Sequence, residues 1–479
     1  MPILNLELLS AEEIQAIHET SLSILSRVGV IVHHVGVLAR LAEAGARVDL
    51  PNQRAGFSEA LVEAALEQAG KRYILHGRDP QKVARFGYGD LNLLSSPGQY
   101  AWFDHRTGAR REALLSDTQA AARVGDALPH VSIVGAMTAP TDIPTPIRDV
   151  ALTAELLKGT TKPTRCWPIT RRSSRYVLEM YAAVAGGRDA LRRHPMGEAF
   201  VEPISPLQFP ETGLDVMLEF LEFGQPVSFG PMSQVAGTGP GTLAGTLAQE
   251  NAEILAGIVI AQAHTPGAQV MYGGIPHIMD PRTSICSFGS AEQGLMAVAM
   301  CQMGHFYDLP VYVNVNLTDS KSLDVQAGME KMGSLMLGAL AGADLLGHAG
   351  IVGTDHGGSL PWLAIDDEAM AYVKRVVRGF GVDTERLALE VIAEVGPGGH
   401  YLTHPHTLAH YREELWVPGK TWTRDTYDAW ASRGEKDMGQ RAAERVEQIL
   451  KDYQPEPIDP LLSVELDRIL ESARGELVD

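Results

Sequence analysis

The chain opens with apolar positions at helical spacing and changes character near residue 92, where short runs rich in β-branched residues begin to recur. In "LSAEEIQAIHETSLSILSRVGV", Ser10 stands three residues ahead of Glu13, the pairing of a capping box, and Ile14, Ile17, Leu22 and Ile24 follow at roughly helical spacing. Two more amphipathic stretches, "GVLARLAEAGARV" and "SEALVEAALEQAG", carry a helical preamble to about residue 70. A unit then repeats: a β-rich run, a loop of Gly, Pro, Ser and Thr, and an amphipathic stretch. The runs begin near Asn92, Val131, Thr161, Ala199, Val227, Ala268, Val311 and Ala343. Alternating β and α units imply a parallel sheet, and eight of them can close it and remove both edges. The expected fold class is α/β, a (β/α)8 TIM barrel, with an open doubly wound sheet as the competitor. After His410 the chain turns charged and helical. The expected organisation is an N-terminal helical segment over 1–90, a barrel catalytic domain over 91–410 and a C-terminal helical extension over 411–479. Trp416, Trp422 and Trp430 would glue the extension onto the barrel or a second subunit.

One run departs from the apolar pattern. In "PVYVNVNLTDSKSLDVQAG", Tyr312, Asn314 and Asn316 alternate with Val311, Val313 and Val315, so one strand face is polar but uncharged. Pointing into a barrel, two asparagines need hydrogen-bond partners or a ligand. The ligand reading is preferred, because barrel active sites sit at the carboxyl ends of the strands.

Composition narrows the function. Acidic residues outnumber basic ones 59 to 40, a formal charge of −19 that disfavours nucleic acid and anionic membrane surfaces. Three scattered cysteines, Cys166, Cys286 and Cys301, fit a reducing cytoplasm. The opening residues have no basic n-region and long apolar h-region, and no uncharged run reaches the roughly 18 residues of a membrane span.

The strand ends read "VGAMTAP", "RCWPIT", "EPISPLQF", "FGPMSQVAGTGPGT", "MYGGIPHIMDPRTS", "NVNLTDSKS" and "GHAGIVGTDHGG". None places a lysine at a strand tip, which argues against Schiff-base chemistry, and "GTGPG" lacks the ending of a P-loop. His406 and His410 have a metal-pinching spacing, but the H-E-x-x-H glutamate is missing and Pro405 breaks the register of His404 with His406. A helix start capped by Thr407 is preferred there, and no metal site is assigned. His348, between Gly347 and Gly350 at the end of the eighth run, suits an anion such as a carboxylate. Trp102, Trp167, Phe229, Tyr272, Phe288, Tyr312 and Trp362 lie near the loops, and rings around a pocket in an acidic protein suit a permanent cation.

Five blocks, "LSAEEIQAIHETSLSILSRVGV", "LVEAALEQAGKRYILHGRDP", "GTLAGTLAQENAEILAGIVIAQ", "DSKSLDVQAGMEKMGSLMLGALAGADLLGHAG" and "HTLAHYREELWVPG", together resemble the trimethylamine methyltransferase (MttB-like) superfamily along essentially the whole chain. The resemblance implies a (β/α)8 barrel. It points to the non-pyrrolysine branch, whose members demethylate quaternary amines such as glycine betaine and pass the methyl group to a corrinoid protein. No histidine has an aspartate two positions before it, so the corrinoid-binding D-x-H-x-x-G pattern is absent. The corrinoid (cobalamin) is therefore expected on a partner protein docking over the open barrel end, with no cofactor bound tightly by this chain. The substrate-binding residues expected on these grounds are Tyr312, Asn314, Asn316, Gly347 and His348, joined by Tyr272 and Trp362 as cage candidates. A non-catalytic betaine-binding protein and a zinc-dependent methyltransferase are the alternatives, and a homo-oligomer is expected.

Overall fold

Eight short strands and eight helices alternate through the middle of the chain. The strands are β1 (Asn92–Ser95), β2 (Val131–Gly135), β3 (Thr164–Arg165), β4 (Ala199–Val201), β5 (Val227–Phe229), β6 (Val270–Tyr272), β7 (Tyr312–Asn314) and β8 (Leu345–Ala349). The helices that follow them in turn are α1 (Leu115–Ala127), α2 (Arg148–Gly159), α3 (Arg171–Ala185), α4 (Glu211–Glu222), α5 (Leu243–His264), α6 (Ala291–Phe306), α7 (Val325–Leu340) and α8 (Leu360–Arg378). The computed structural model describes residues 6–478, so the first five residues of the expected N-terminal segment lie outside the described residues.

Parallel pairing runs β3, β2, β1, β8, β7 in one group and β4, β5, β6 in another. A bridge from Tyr272 to Val311 joins β6 to β7. Between β3 and β4 no backbone bridge occurs among the described residues. A buried ion pair, Arg165 to Glu198 at 2.9 Å, spans that seam instead. The result is the expected α/β barrel, one of whose seams is stitched by side chains.

Helices reach the strands closely where glycine permits it. A Cβ on Gly257 of α5 would come 2.3 Å from the Phe229 ring, and one on Gly304 of α6 would come 2.3 Å from Val311. Loops end in residues that cap the next helix, because a short polar side chain satisfies an orphaned amide there. Thr242, Ser290, Asp324 and Ser359 do this for α5 through α8.

A hairpin, Tyr73–His76 with Val83–Phe86, closes the end of the barrel where the strands begin. Tyr73, Leu75, Ala84 and Phe86 pack with Leu94, Ile133, Met271, Tyr312 and Leu345 in the barrel interior. The Gly87 amide donates to Asp344, the residue before β8. The barrel interior is thus plugged at that end, and the opposite end, where the strands finish, is the one where barrel active sites lie.

The preamble expected to be helical also carries strands: Val30–Val32, Arg47–Asp49 and Arg54–Gly56 join Gln208–Phe209 in a four-stranded sheet. These strands fall outside the repeating β–loop–helix unit by which the barrel strands were read. In the extension, helix Met438–Asp452 packs on α8 and α1, and Pro460–Leu477 on α3 and α2. Trp422 stacks on Tyr372 of α8 at 5.7 Å and Trp416 meets both rings edge-on, whereas Trp430 packs on Tyr427. No helix among the described residues is long and apolar enough to cross a membrane.

Candidate active site

Phe200 of β4 meets Tyr312 of β7 edge-on at 5.7 Å, although β5 and β6 lie between their strands. Both rings therefore project into the barrel. Asn314, two residues on, shares the Tyr312 face by strand alternation, and its buried Oδ1 has no partner. The register of β8 against β1 shifts between Gly347 and Ala349. Such a bulge re-aims a side chain. His348 points inward there: its Nε2 lies 3.2 Å from the Tyr312 hydroxyl, and its ring is edge-on to Trp167 at 6.1 Å. Gly347 leaves space for this pair, since a Cβ would sit 3.2 Å from the Tyr312 ring. Burial, helped by the Arg165 charge, lowers His348 to about 3, so its imidazole is neutral. Burial likewise holds the Tyr312 hydroxyl far above its ordinary range, and it stays protonated.

Below these rings lies the charge of Arg165. Its guanidinium is 5.9 Å from the Trp167 centroid and 5.5 Å from that of Phe200. Nη2 donates to Glu198, whose carboxylate also accepts from the Ser228 and Tyr73 hydroxyls. The buried Nε of Arg165 has no partner.

Two acids flank the open end. Asp355 accepts from Gln99 Nε2 at 2.6 Å, and burial, with the Glu202 charge adding to it, pushes its carboxyl up to about 7. Glu202 is accessible to solvent yet surrounded by protein, and desolvation raises it too. Thr354 and Asp355 are both left-handed, with φ of 60° and 63°. That conformation strains a non-glycine residue and persists only where neighbours enforce it. Here Gly353 and Thr354 donate backbone bonds to Ser320 and Thr318, at 2.8 and 2.9 Å.

Those last partners explain the polar triplet after β7. Asp319 accepts from Ser287, the Phe288 amide and Thr354, while Thr318 and the Asp319 amide donate to Glu330. Thr318 and Asp319 thus lace together the loops that follow β6, β7 and β8. Behind β4 to β6, Glu253 binds Ser205 and the Leu207 amide, and Glu250 binds the Ile275 and Ser233 amides.

The structure brings Tyr312, Asn314, Gly347 and His348 together and sets the other expected residues apart. Asn316 packs behind the β7–β8 pair, where Lys331 donates to its carbonyl at 2.7 Å. Its amide lies beside Asp366 without closing a bond, and both its side-chain polar atoms are unpartnered. Trp362 lies 5.2 Å from Lys331 and lines a cavity of about 400 Å³ shared with Phe103, Lys321, Leu323 and Gln440. Neither Tyr312 nor His348 lines that cavity. Tyr272 faces outward, donating to Asn251 of α5 at 2.8 Å. At the histidine cluster, His404 rather than Thr407 caps helix Pro405–Glu414, Thr407 donates to Tyr401, and His410 pairs with Glu385. No group of three or more His, Cys, Asp or Glu side chains gathers as metal ligands among the described residues.

Arg165, Phe200, Glu202, Gln99 and Asp355 were not singled out by the sequence reading. Most occupy the loop windows already recognised, "RCWPIT", "EPISPLQF" and "GHAGIVGTDHGG". Their signal was position at a strand end, not a motif.

Comparison with known proteins adds an independent line. The family described as trimethylamine methyltransferase (MTTB) matches residues 1–476. A glycine betaine methyltransferase of Desulfitobacterium hafniense is 32% identical over 474 residues, covering 98% of each chain. The trimethylamine methyltransferase MttB of Methanosarcina barkeri is 30% identical over 483 residues, covering 98% of this chain and 95% of the relative. The crystal structure of the monomethylamine methyltransferase MtmB of Methanosarcina barkeri superposes with a TM-score of 0.54 at 10% identity, covering 99% of this chain and 88% of that one. At that identity the likeness speaks for the barrel fold alone.

Proposed function

We propose that this chain, which belongs to the trimethylamine methyltransferase (MTTB) family, demethylates a small quaternary amine at its barrel mouth, passing the methyl group to a corrinoid on a partner protein. Membership makes it a methyltransferase. The finer reading is carried by one observation: the rings of Trp167, Phe200 and Tyr312 share the mouth with the carboxyls of Asp355 and Glu202. A cation over an aromatic face gains about 0.5–2 kcal/mol, and the nearby carboxylates add attraction in a poorly hydrated site.

The chemistry asks little proton handling of the protein. A quaternary nitrogen leaves with the electron pair of the broken C–N bond as a neutral tertiary amine, so no general acid is required. The corrinoid would supply the Co(I) nucleophile that takes the methyl carbon. What remains for this chain is to hold the head group, aim one methyl outward and keep water from the reacting centre. The neutral His348 and protonated Tyr312 fit that task, since they orient without competing for a proton.

A docking partner is supported by the rim. Tyr100, Ile204, Met232, Ile285 and Leu323 are large apolar residues, all exposed, in the loops after β1, β4, β5, β6 and β7. Exposed apolar residues clustered in this way mark an interaction surface. The scattered free cysteines fit the cytoplasm, and exposed Phe380, Val382, Leu402, Leu408 and Val417 beside the extension fit a homo-oligomer. Thermal unfolding of the purified chain in a panel of quaternary amines tests the reading, because a ligand of the native state raises the midpoint by mass action. Glycine betaine or a close analogue is expected to raise it, and a panel without effect would overturn the reading.

A further inference from the structure

Tyr312, His348, Trp167 and Phe200 stand together at the barrel mouth, with two acidic groups, Asp355 and Glu202, in the loops at the open end and a positive charge, Arg165, lying deeper. The site is therefore polarised along its axis. Arg165 is 5% exposed, and its ion pair with Glu198 uses only Nη2, leaving Nε buried and unpartnered. Such a donor costs stability, and of the arginines with an unpartnered buried Nε among the described residues, Arg78, Arg148, Arg165 and Arg445, Arg165 alone stands against the rings of Trp167 and Phe200. Its fork geometry suits a carboxylate, to which it can present a second N–H. The neutral imidazole of His348 lies on the same side, close enough for the Arg165 charge to depress its protonation, and can donate from one ring nitrogen.

We infer that Arg165 determines specificity by recognising a carboxylate on the substrate, so that a carboxylated quaternary amine enters carboxylate first and its ammonium methyls face the mouth. This rests on the proposed function and extends it from a head group to a whole molecule with an orientation. That orientation places the carbon to be transferred at the end of the barrel where the strands finish. A quaternary amine lacking a carboxylate would leave the Nε of Arg165 unpartnered, and so would bind more weakly.

The test is isothermal titration of the full chain with three probes: glycine betaine, choline, which keeps the cation and loses the carboxylate, and 3,3-dimethylbutyrate, which keeps the carboxylate and loses the charge on the head. Glycine betaine is expected to bind about 10- to 100-fold more tightly than choline, the worth of one charge-assisted hydrogen bond. In a double variant, Arg165→Gln with Glu198→Gln, which removes both buried charges together, betaine affinity should fall to the choline value while choline affinity holds. Equal binding of betaine and choline by the unaltered protein overturns the inference and leaves the parent reading standing. So does a folded double variant, checked by circular dichroism, that keeps its preference for betaine. Failure of both cationic probes to bind the unaltered protein overturns the parent reading itself. The wild-type comparison decides the matter even if the double variant does not fold.

Discussion

Among the described residues Asp355 has a single hydrogen-bond partner, the neutral amide of Gln99, and no cation pairs with it. Its raised carboxyl, near 7, follows from burial first and from the Glu202 charge as a lesser cause. A quaternary ammonium stabilises the ionised form, so binding releases a proton whenever Asp355 is protonated in the free site. Affinity is therefore expected to rise as pH rises through about 7 and to level off above it. Asp355→Asn should flatten that profile, which titration calorimetry at several pH values would show. His348, already neutral throughout this range, adds nothing to the slope. Its role appears in His348→Ala, which strips the Tyr312 hydroxyl of its partner. That should weaken substrate binding by about 1–3 kcal/mol, read as a raised KM. Unchanged KM and kcat would remove His348 from the site.

At the scale of elements, the loops carry the site and buried charge holds them. Lys331 of α7 reaches Asp366 of α8 at 3.0 Å, with both side chains almost fully buried, and also donates to the carbonyls of Asn316 and Ile351. Removing one partner strands a charge, so Lys331→Met is expected to destabilise the fold by about 3–5 kcal/mol in urea unfolding, and adding Asp366→Leu should restore much of it. Strands and helices of the barrel were legible in sequence because β runs alternate with polar loops, several of which end in a capping residue, as at Asp324 and Ser359. The small strands around Val30 and Ala55 were not, because they lie outside that repeating unit, among the helices of the preamble. Tyr312 and His348 stand at strand ends, the places where the sequence pattern pointed, and they lie within 3.2 Å of each other. Arg165 was not legible: its partner Glu198 lies 33 residues away, and a lone arginine in a β run does not announce an interior charge. Asn316 misled for the opposite reason, since its left-handed φ of 65° takes it off the face that alternation assigned.

Across the molecule, several buried carboxyls titrate well above the ordinary range. Burial pushes Asp149 and Asp367 up to about 6 and Glu253 up to about 7. Between the unfolded value and these, the native state binds more protons than the unfolded chain, so stability falls as pH rises across that window. The formal charge of −19 acts in the same direction. Buried His348 and His130, lowered to about 3 and about 4, oppose this below the ordinary histidine value, but the raised carboxyls outnumber them, so the denaturation midpoint is expected to be higher near about pH 5 than near about pH 8. In solution the apolar residues between Phe380 and Val417 are expected to hold copies together, so sedimentation should give a mass above the 51.7 kDa of one chain. The central claim, that this barrel mouth offers one methyl of a quaternary amine to a cobalt nucleophile, is tested most directly by anaerobic incubation with trideuteromethyl-labelled glycine betaine and cob(I)alamin. Dimethylglycine would be followed by mass spectrometry. Its formation at a rate proportional to protein concentration, and abolished by omitting cob(I)alamin, is the predicted result. No dimethylglycine, and no tertiary amine from any other quaternary amine that the protein binds, would contradict it.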